Sequence, residues 1–123
     1  MEMKKHLLFI CSGGLDRSPT AEELINTEAG DKFEAKSCGL YPFFADNPLT
    51  KQALTWADQV IVMEYVHKSD ILERFPLFIK DKPDIIVLDV PNEYVRDQQE
   101  LKELLRNKLK KEGFLYEKKY KVR

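Results

Sequence analysis

Apolar and polar residues follow one another along the chain in blocks that predict strands and helices in turn. Short apolar runs predict strands over residues 5–10 (KHLLFI), 33–39 (FEAKSCG), 59–63 (QVIVM) and 84–90 (DIIVLDV). Apolar residues at helical spacing predict helices that begin at Ser18 and that cover residues 49–57, 64–75 and 94–111. Strands that alternate with helices favour a parallel sheet covered on both faces.

One α/β domain is predicted over residues 1–113, followed by a basic tail over residues 114–123. The 123 residues suffice for a single core, and a net charge of −1 gives no support to nucleic-acid binding. No apolar run is long enough for a bilayer, and the first residues lack a signal-peptide pattern, which favours the cytoplasm. Two cysteines and two histidines without ligand spacing predict no metal and no cofactor, and we expect a monomer with free thiols.

The sequence CSGGLDRS, residues 11–18, follows the first predicted strand at the edge where doubly wound sheets bind ligands. Its glycines permit positive φ, so its backbone N–H groups and the helix start can surround an anion. The planar fork of Arg17 fits two phosphate oxygens. The same donors favour a thiolate at Cys11, which would be a nucleophile for covalent catalysis. Ser18 could donate a hydrogen bond to that thiolate. The alternative is a structural cysteine in a tight turn.

The stretch CSGGLDRSPTAEE resembles the C-x-G-N-x-C-R-S-P-x-A-E signature of the low-molecular-weight protein tyrosine phosphatases. SCGL (37–40) and VPNEY (90–94) are similar to that family's S-A-G-T and I-P-D-P-Y. Over roughly residues 5–105 the chain is most similar to a short bacterial branch of predicted phosphatases. The resemblance implies a four-stranded parallel sheet in the order 2-1-3-4 with helices on both faces. It also implies hydrolysis of a phosphomonoester through a cysteinyl-phosphate intermediate.

Carried over position by position, the resemblance assigns the nucleophile to Cys11, the phosphate clamp to Arg17 and thiolate stabilisation to Ser18. The backbone that would hold the phosphate comprises Ser12, Gly13, Gly14, Leu15, Asp16 and Arg17. The aromatic residues that would form the walls of the substrate cleft are Tyr41, Phe43 and Tyr94.

Three positions depart from the family pattern. Gly14 replaces an asparagine, and Asp16 replaces a second cysteine, which leaves only Cys38 as a possible disulfide partner for the nucleophile. Asn92 replaces the aspartate that acts as general acid in the family, and such acids contribute roughly 10²–10⁴ in rate. We therefore expect Asp97 to be the acid, with Asp89 or Glu93 as alternatives, and weak activity if none of them serves.

The sequence thus predicts a cytoplasmic enzyme that hydrolyses phosphotyrosine in proteins or another aryl phosphate, without nucleic-acid or membrane partners. One alternative is a catalytically weak module that binds phosphate or phosphopeptides. Another is an arsenate reductase, which would need resolving cysteines late in the chain, whereas no cysteine follows Cys38.

Overall fold

A computed structural model describes residues 3–41, 43 and 45–116, and its central element is a four-stranded parallel sheet. The strands lie in the order β2-β1-β3-β4, with β1 at Lys5–Cys11, β2 at Phe33–Gly39, β3 at Gln59–Val62 and β4 at Ile86–Val87. The helices are α1 at Arg17–Glu28, α2 at Lys51–Trp56, α3 at Tyr65–Arg74, α4 at Pro76–Ile79 and α5 at Gln99–Lys111. The predicted parallel sheet and its strand order are confirmed.

The helices cover both faces of the sheet, as predicted. Helices α1 and α5 pack on one face, in a core that includes Phe9, Ile25 and Leu105. Helices α2, α3 and α4 pack on the other, around residues such as Ile10 and Leu54. Strand β1 contributes to both cores because its successive side chains point to opposite faces.

Element boundaries differ from the prediction mainly around β4. The predicted strand over residues 84–90 shortens to Ile86–Val87, and the helix predicted from residue 94 begins at Gln99. The segment between them turns twice through left-handed backbone, at Asp89 (φ 58°) and Asp97 (φ 64°). Aspartate tolerates this conformation better than most residues do, so these two aspartates serve the turns.

Smaller differences occur at prolines. Helix α1 already begins at Arg17, which places Pro19 within its first turn. At Pro76 the chain ends α3 as predicted but starts the short helix α4, because proline suits a first helical turn.

The packed part of the domain extends beyond the predicted boundary at residue 113. Gly113 adopts φ 86° and ends α5, after which Phe114 and Leu115 are 7% and 5% exposed and join the α1–α5 core. The ring of Phe114 meets the ring of Phe33 edge-on, with centroids 5.5 Å apart. The rest of the predicted basic tail, residues 117–123, lies outside the described residues.

The parallel arrangement brings three chain segments together at the carboxyl edge of the sheet. Strand β1 runs into residues 11–18, called here the Cys11 loop, and β3 runs through Met63 into Glu64. Past β4 the backbone still follows β3, because the N–H of Leu88 donates to Val62 and that of Val90 donates to Met63. Within the described residues, none of the helices is long and apolar enough to cross a membrane.

Candidate active site

Cys11 lies at the end of β1 with its sulfur among hydrogen-bond donors. The backbone N–H of Gly14 donates to Sγ at 3.1 Å, and the hydroxyl of Ser18 is 3.0 Å from it. The Ser18 oxygen is also 3.3 Å from the carbonyl of Cys38, which can accept the hydroxyl hydrogen while Cys11 is a thiol. When Cys11 is a thiolate, Ser18 can turn this hydrogen to the sulfur. The Ser18 hydroxyl and the Gly14 N–H can then stabilise the sulfur anion together.

Arg17 is 1% exposed, so its buried guanidinium needs partners for its charge. Its Nη1 donates to Oε2 of Glu64 at 2.5 Å and to the carbonyl of Val90 at 2.7 Å. Its Nη2 lies 3.4 Å from the hydroxyl oxygen of Ser12. The contacts with Glu64 and Val90 hold one side of the fork, which fixes the orientation of the guanidinium beside the Cys11 loop.

His67 connects the same glutamate to the loop. Glu64 is the N-cap of α3 and forms a capping box with His67: its carboxylate accepts from the His67 backbone, and its own N–H donates to Nδ1 of His67 at 3.1 Å. The other ring nitrogen, Nε2, is 2.9 Å from the Ser12 oxygen. Burial, followed by the positive charge of Arg17, lowers the pKa of the His67 imidazole, which favours its neutral form.

Two glycines allow the Cys11 loop to pack directly on the end of β2. Gly14 has φ 69°, and a Cβ there would lie 2.6 Å from the nitrogen of Gly39 and 2.8 Å from the carbonyl carbon of Cys38. A Cβ on Gly39 would in turn lie 2.5 Å from the carbonyl carbon of Gly13. The glycine at position 14, where the family carries asparagine, is thus required by both backbone conformation and space.

A cleft of about 350 Å³ opens over the sulfur. The residues that line it are Cys11, Ser12, Gly13, Leu15, Asp16, Arg17, Tyr41 and Asn92. The structure thereby brings the predicted nucleophile, the predicted clamp and most of the predicted loop to one concave surface. Such a combination of a reactive group and convergent polar groups is typical of active sites.

Of the three predicted aromatic residues, only Tyr41 lines this cleft. Its hydroxyl donates to Asp70 at 3.0 Å and its ring meets His67 edge-on. The structure does not bring Phe43 and Tyr94 into the cleft. Phe43 is 95% exposed, and Tyr94 packs against the α1–α5 core, because it lies in the segment that turns toward that face.

The carboxylates predicted as general acids also lie outside the cleft. Asp97, the expected acid, lines a separate groove between α1 and α5, and its N–H donates to Thr20. Asp89 and Glu93 are exposed, and the carbonyl of Asp89 accepts from Lys108 of α5. The residue of this segment that reaches the cleft is Asn92, at the position of the family's acid.

Asp16 ties the Cys11 loop to the segment after β4. Its Oδ1 accepts from the backbone N–H of Arg96 at 2.9 Å, and its carbonyl accepts from the Thr20 hydroxyl at 2.7 Å. Asp16, at the position of the family's second cysteine, is therefore a structural hydrogen-bond acceptor. It also lines the cleft.

Cys38 is not placed to form a disulfide with Cys11. Cys11 packs in the core on the α1–α5 face of the sheet, whereas Cys38 packs in the core on the opposite face. Burial, with a smaller effect of the nearby Cys11, raises the pKa of the Cys38 thiol to about 12. Because a thiolate is the form that exchanges, Cys38 is unsuited to resolve an oxidised Cys11.

Neither His67 nor Glu64 was predicted from the sequence to be a site residue. The available signal was their spacing of three residues directly after β3, which is the spacing of a capping box. Together with the parallel sheet, that spacing places a carboxylate and an imidazole beside the Cys11 loop.

Comparison of the sequence with known proteins finds a phosphatase that is similar to part of this chain. No protein-family profile matches the sequence. A protein-arginine-phosphatase of Geobacillus stearothermophilus is 28% identical, over an alignment that covers 60% of this chain and 64% of that relative's length.

Solved structures are similar over most of their length. The YwlE arginine phosphatase from Geobacillus stearothermophilus matches with a TM-score of 0.67 and 23% identity, covering 94% of this chain and 99% of that one. A low-molecular-weight protein tyrosine phosphatase from T. tengcongensis matches at 0.68 and 22% identity, covering 89% and 99%. The tyrosine phosphatase Wzb from Escherichia coli K30, in complex with phosphate, matches at 0.69 and 20% identity, covering 89% and 96%.

The strand order, the loop after β1 and these likenesses define the fold. The chain has the fold of the low-molecular-weight protein tyrosine phosphatases, as its sequence resemblance implied. Its departures from the sequence pattern of that family are Gly14 in the Cys11 loop, and Asp16 and Asn92 at the cleft.

The contact between the loop and β2 predicts a specific sensitivity at Gly14. Gly14→Ala should lower the free energy of unfolding by about 2 kcal/mol or more, because backbone strain and a backbone collision act together. Gly113→Ala is a matched control: Gly113 has φ 86° but nothing within 4 Å of an added Cβ, so only strain of about 1 kcal/mol applies. Urea unfolding of both variants gives the comparison, and equal losses would contradict the close packing.

Proposed function

We propose that the protein is a cysteine-dependent phosphatase that acts on phosphorylated protein or a related aryl phosphate. The observation that carries this proposal is the single cleft that contains the Cys11 sulfur, with donors from Gly14 and Ser18, beside the buried Arg17 guanidinium. Sγ attacks phosphorus, the bond from phosphorus to the leaving oxygen breaks, and a cysteinyl phosphate forms. Water then attacks phosphorus, which releases phosphate and returns the thiolate.

The cleft supports binding of the phosphoryl group more strongly than departure of the leaving group. Backbone donors and Arg17 suit the transferring oxygens. Among the residues that line the cleft, Asp16 is the one carboxylate, and it is already an acceptor for the Arg96 backbone N–H. Asn92 cannot supply a proton, so a leaving group of high pKa departs slowly in this proposal.

Phosphoarginine is a second candidate substrate, favoured by the polar groups of the cleft. A phosphorylated guanidinium carries N–H donors, and the Asp16 carboxylate and the Asn92 amide oxygen could accept from them. The guanidinium also already holds the proton that its departure as guanidine requires. An aryl ring uses neither feature and would instead pack against Tyr41 and Leu15.

Hydrolysis assays with para-nitrophenyl phosphate, phosphotyrosine and phosphoarginine test these proposals. Cys11→Ser should lower turnover of every accepted substrate by more than about 10³-fold, as loss of a nucleophile does. Asp16→Asn should weaken kcat/KM several-fold for phosphoarginine alone if that is the substrate, and should leave aryl phosphates unchanged or improved. Phosphate binding without turnover by the wild type would instead favour a phosphate-binding module.

A gain of function is expected at Asn92. Asn92→Asp should raise kcat for phenyl phosphate about tenfold or more, because the new carboxyl group can protonate phenolate. The same substitution should change kcat for para-nitrophenyl phosphate little, since para-nitrophenolate needs little protonation to leave. Glu93→Gln, at the exposed neighbouring residue, serves as the control and should leave both rates unchanged. Equal effects of Asn92→Asp on the two substrates would contradict a missing acid at this position.

A further inference from the structure

The hydroxyl oxygen of Ser12 lies between two nitrogen atoms. Nε2 of His67 is 2.9 Å away and Nη2 of Arg17 is 3.4 Å away. A guanidinium can only donate hydrogen bonds, so the contact with Arg17 makes the Ser12 oxygen an acceptor. The direction of the other bond depends on which ring nitrogen of His67 carries the proton.

The contact with Glu64 settles the tautomer of His67. Nδ1 accepts from the backbone N–H of Glu64 at 3.1 Å, so it holds no proton. The ring is fully buried, which favours the neutral form with its proton on Nε2. Nε2 therefore donates to Ser12, and the serine oxygen accepts from both neighbours.

The hydroxyl hydrogen of Ser12 must then point elsewhere. Among the described residues, no acceptor lies within hydrogen-bond distance of this hydroxyl, and Ser12 lines the cleft beside Cys11. We propose that the Ser12 hydroxyl donates a hydrogen bond to an oxygen of the phosphoryl group bound at the Cys11 loop. This rests on the proposed phosphate-binding function and adds a side-chain donor to the backbone donors of the loop.

The geometry favours a phosphoryl oxygen over the leaving group as the acceptor. Ser12 directly follows the nucleophile, and its oxygen lies near Nη2 of Arg17, whereas the bonds to Glu64 and Val90 are made by Nη1. An oxygen bound to Nη2 is therefore within reach of Ser12. Donation from Arg17 and His67 polarises the hydroxyl and strengthens its own donation. Ser12 does not act as a proton source, because Nδ1 of His67 is occupied and cannot relay a proton.

His67 is accordingly a positioning residue that acts through Ser12. Its contribution can be separated from a purely structural one, because it should depend on the serine hydroxyl. Without that hydroxyl, the remaining link from the imidazole to the phosphate site is its Nδ1 contact with Glu64, which pairs with Arg17.

Calorimetric titration with inorganic phosphate tests the proposal without requiring turnover. Ser12→Ala should weaken phosphate binding about tenfold or more, the effect of losing a hydrogen bond to a charged group. Ser12→Thr keeps the hydroxyl and should bind within about threefold of the wild type. Ser69→Ala, at an exposed serine of α3, is the matched control and should bind as the wild type does. Thermal melting verifies that each variant is folded.

A double-mutant cycle completes the experiment. His67→Leu should weaken phosphate binding several-fold in the wild type and produce a clearly smaller loss in the Ser12→Ala background, where only the His67 contact with Glu64 is lost. Unchanged affinity in Ser12→Ala, equal losses in the alanine and threonine variants, or additive losses in the cycle would each overturn the proposal. Serine-dependent phosphate binding without turnover would overturn the proposed enzyme while supporting this inference. Turnover together with phosphate binding that does not depend on Ser12 would support the proposed enzyme and overturn this inference.

Discussion

The buried guanidinium of Arg17 is the group on which the rest of this site depends. A positive charge that is 1% exposed is costly unless partners replace its water. Those partners are the Glu64 carboxylate after β3 and the Val90 carbonyl after β4. Their positions require β1, β3 and β4 to end together, so the parallel sheet and the buried charge support one another.

The same pairing sets the electrostatic character of the cleft. Glu64 compensates the charge of Arg17, and the neutral tautomer of His67 adds none. Attraction for an anion therefore depends on directed donors: backbone N–H groups of the Cys11 loop, Nη2 of the Arg17 guanidinium and, in our proposal, the Ser12 hydroxyl. Directed donors bind a phosphoryl group through geometry, which is why the fit of Gly14 against Gly39 matters for function as well as stability.

The elements nearest the Cys11 loop could be predicted from the sequence because each carries a local signal. An apolar strand, paired glycines, an arginine and an early proline lie in direct succession, and the parallel order follows from the alternation of elements. The segment after β4 could not be predicted in the same way. Asp89 and Asp97 are carboxylic acids and so were candidates for the general acid. Their left-handed backbone shows that they are turn residues. No local sequence pattern revealed this.

The contribution of the start of α3 to the site could not be predicted, for a different reason. Glu64 and His67 contact residues far earlier in the chain, so their function depends on the packing of α3 against the loop. Tyr94 shows the opposite case: its family position predicts a cleft wall, yet the ring packs against the α1–α5 core. Long-range packing, which local patterns do not encode, decides both outcomes.

The most direct test of this account is detection of the covalent intermediate. The protein is mixed with para-nitrophenyl phosphate, quenched in acid within its first turnovers and digested for mass spectrometry. We expect a phosphoryl group on Cys11 in the peptide that contains it, and no phosphocysteine in the Cys11→Ser variant. Turnover by the wild type with no phosphorylated Cys11, or with the phosphoryl group on another residue, would contradict it.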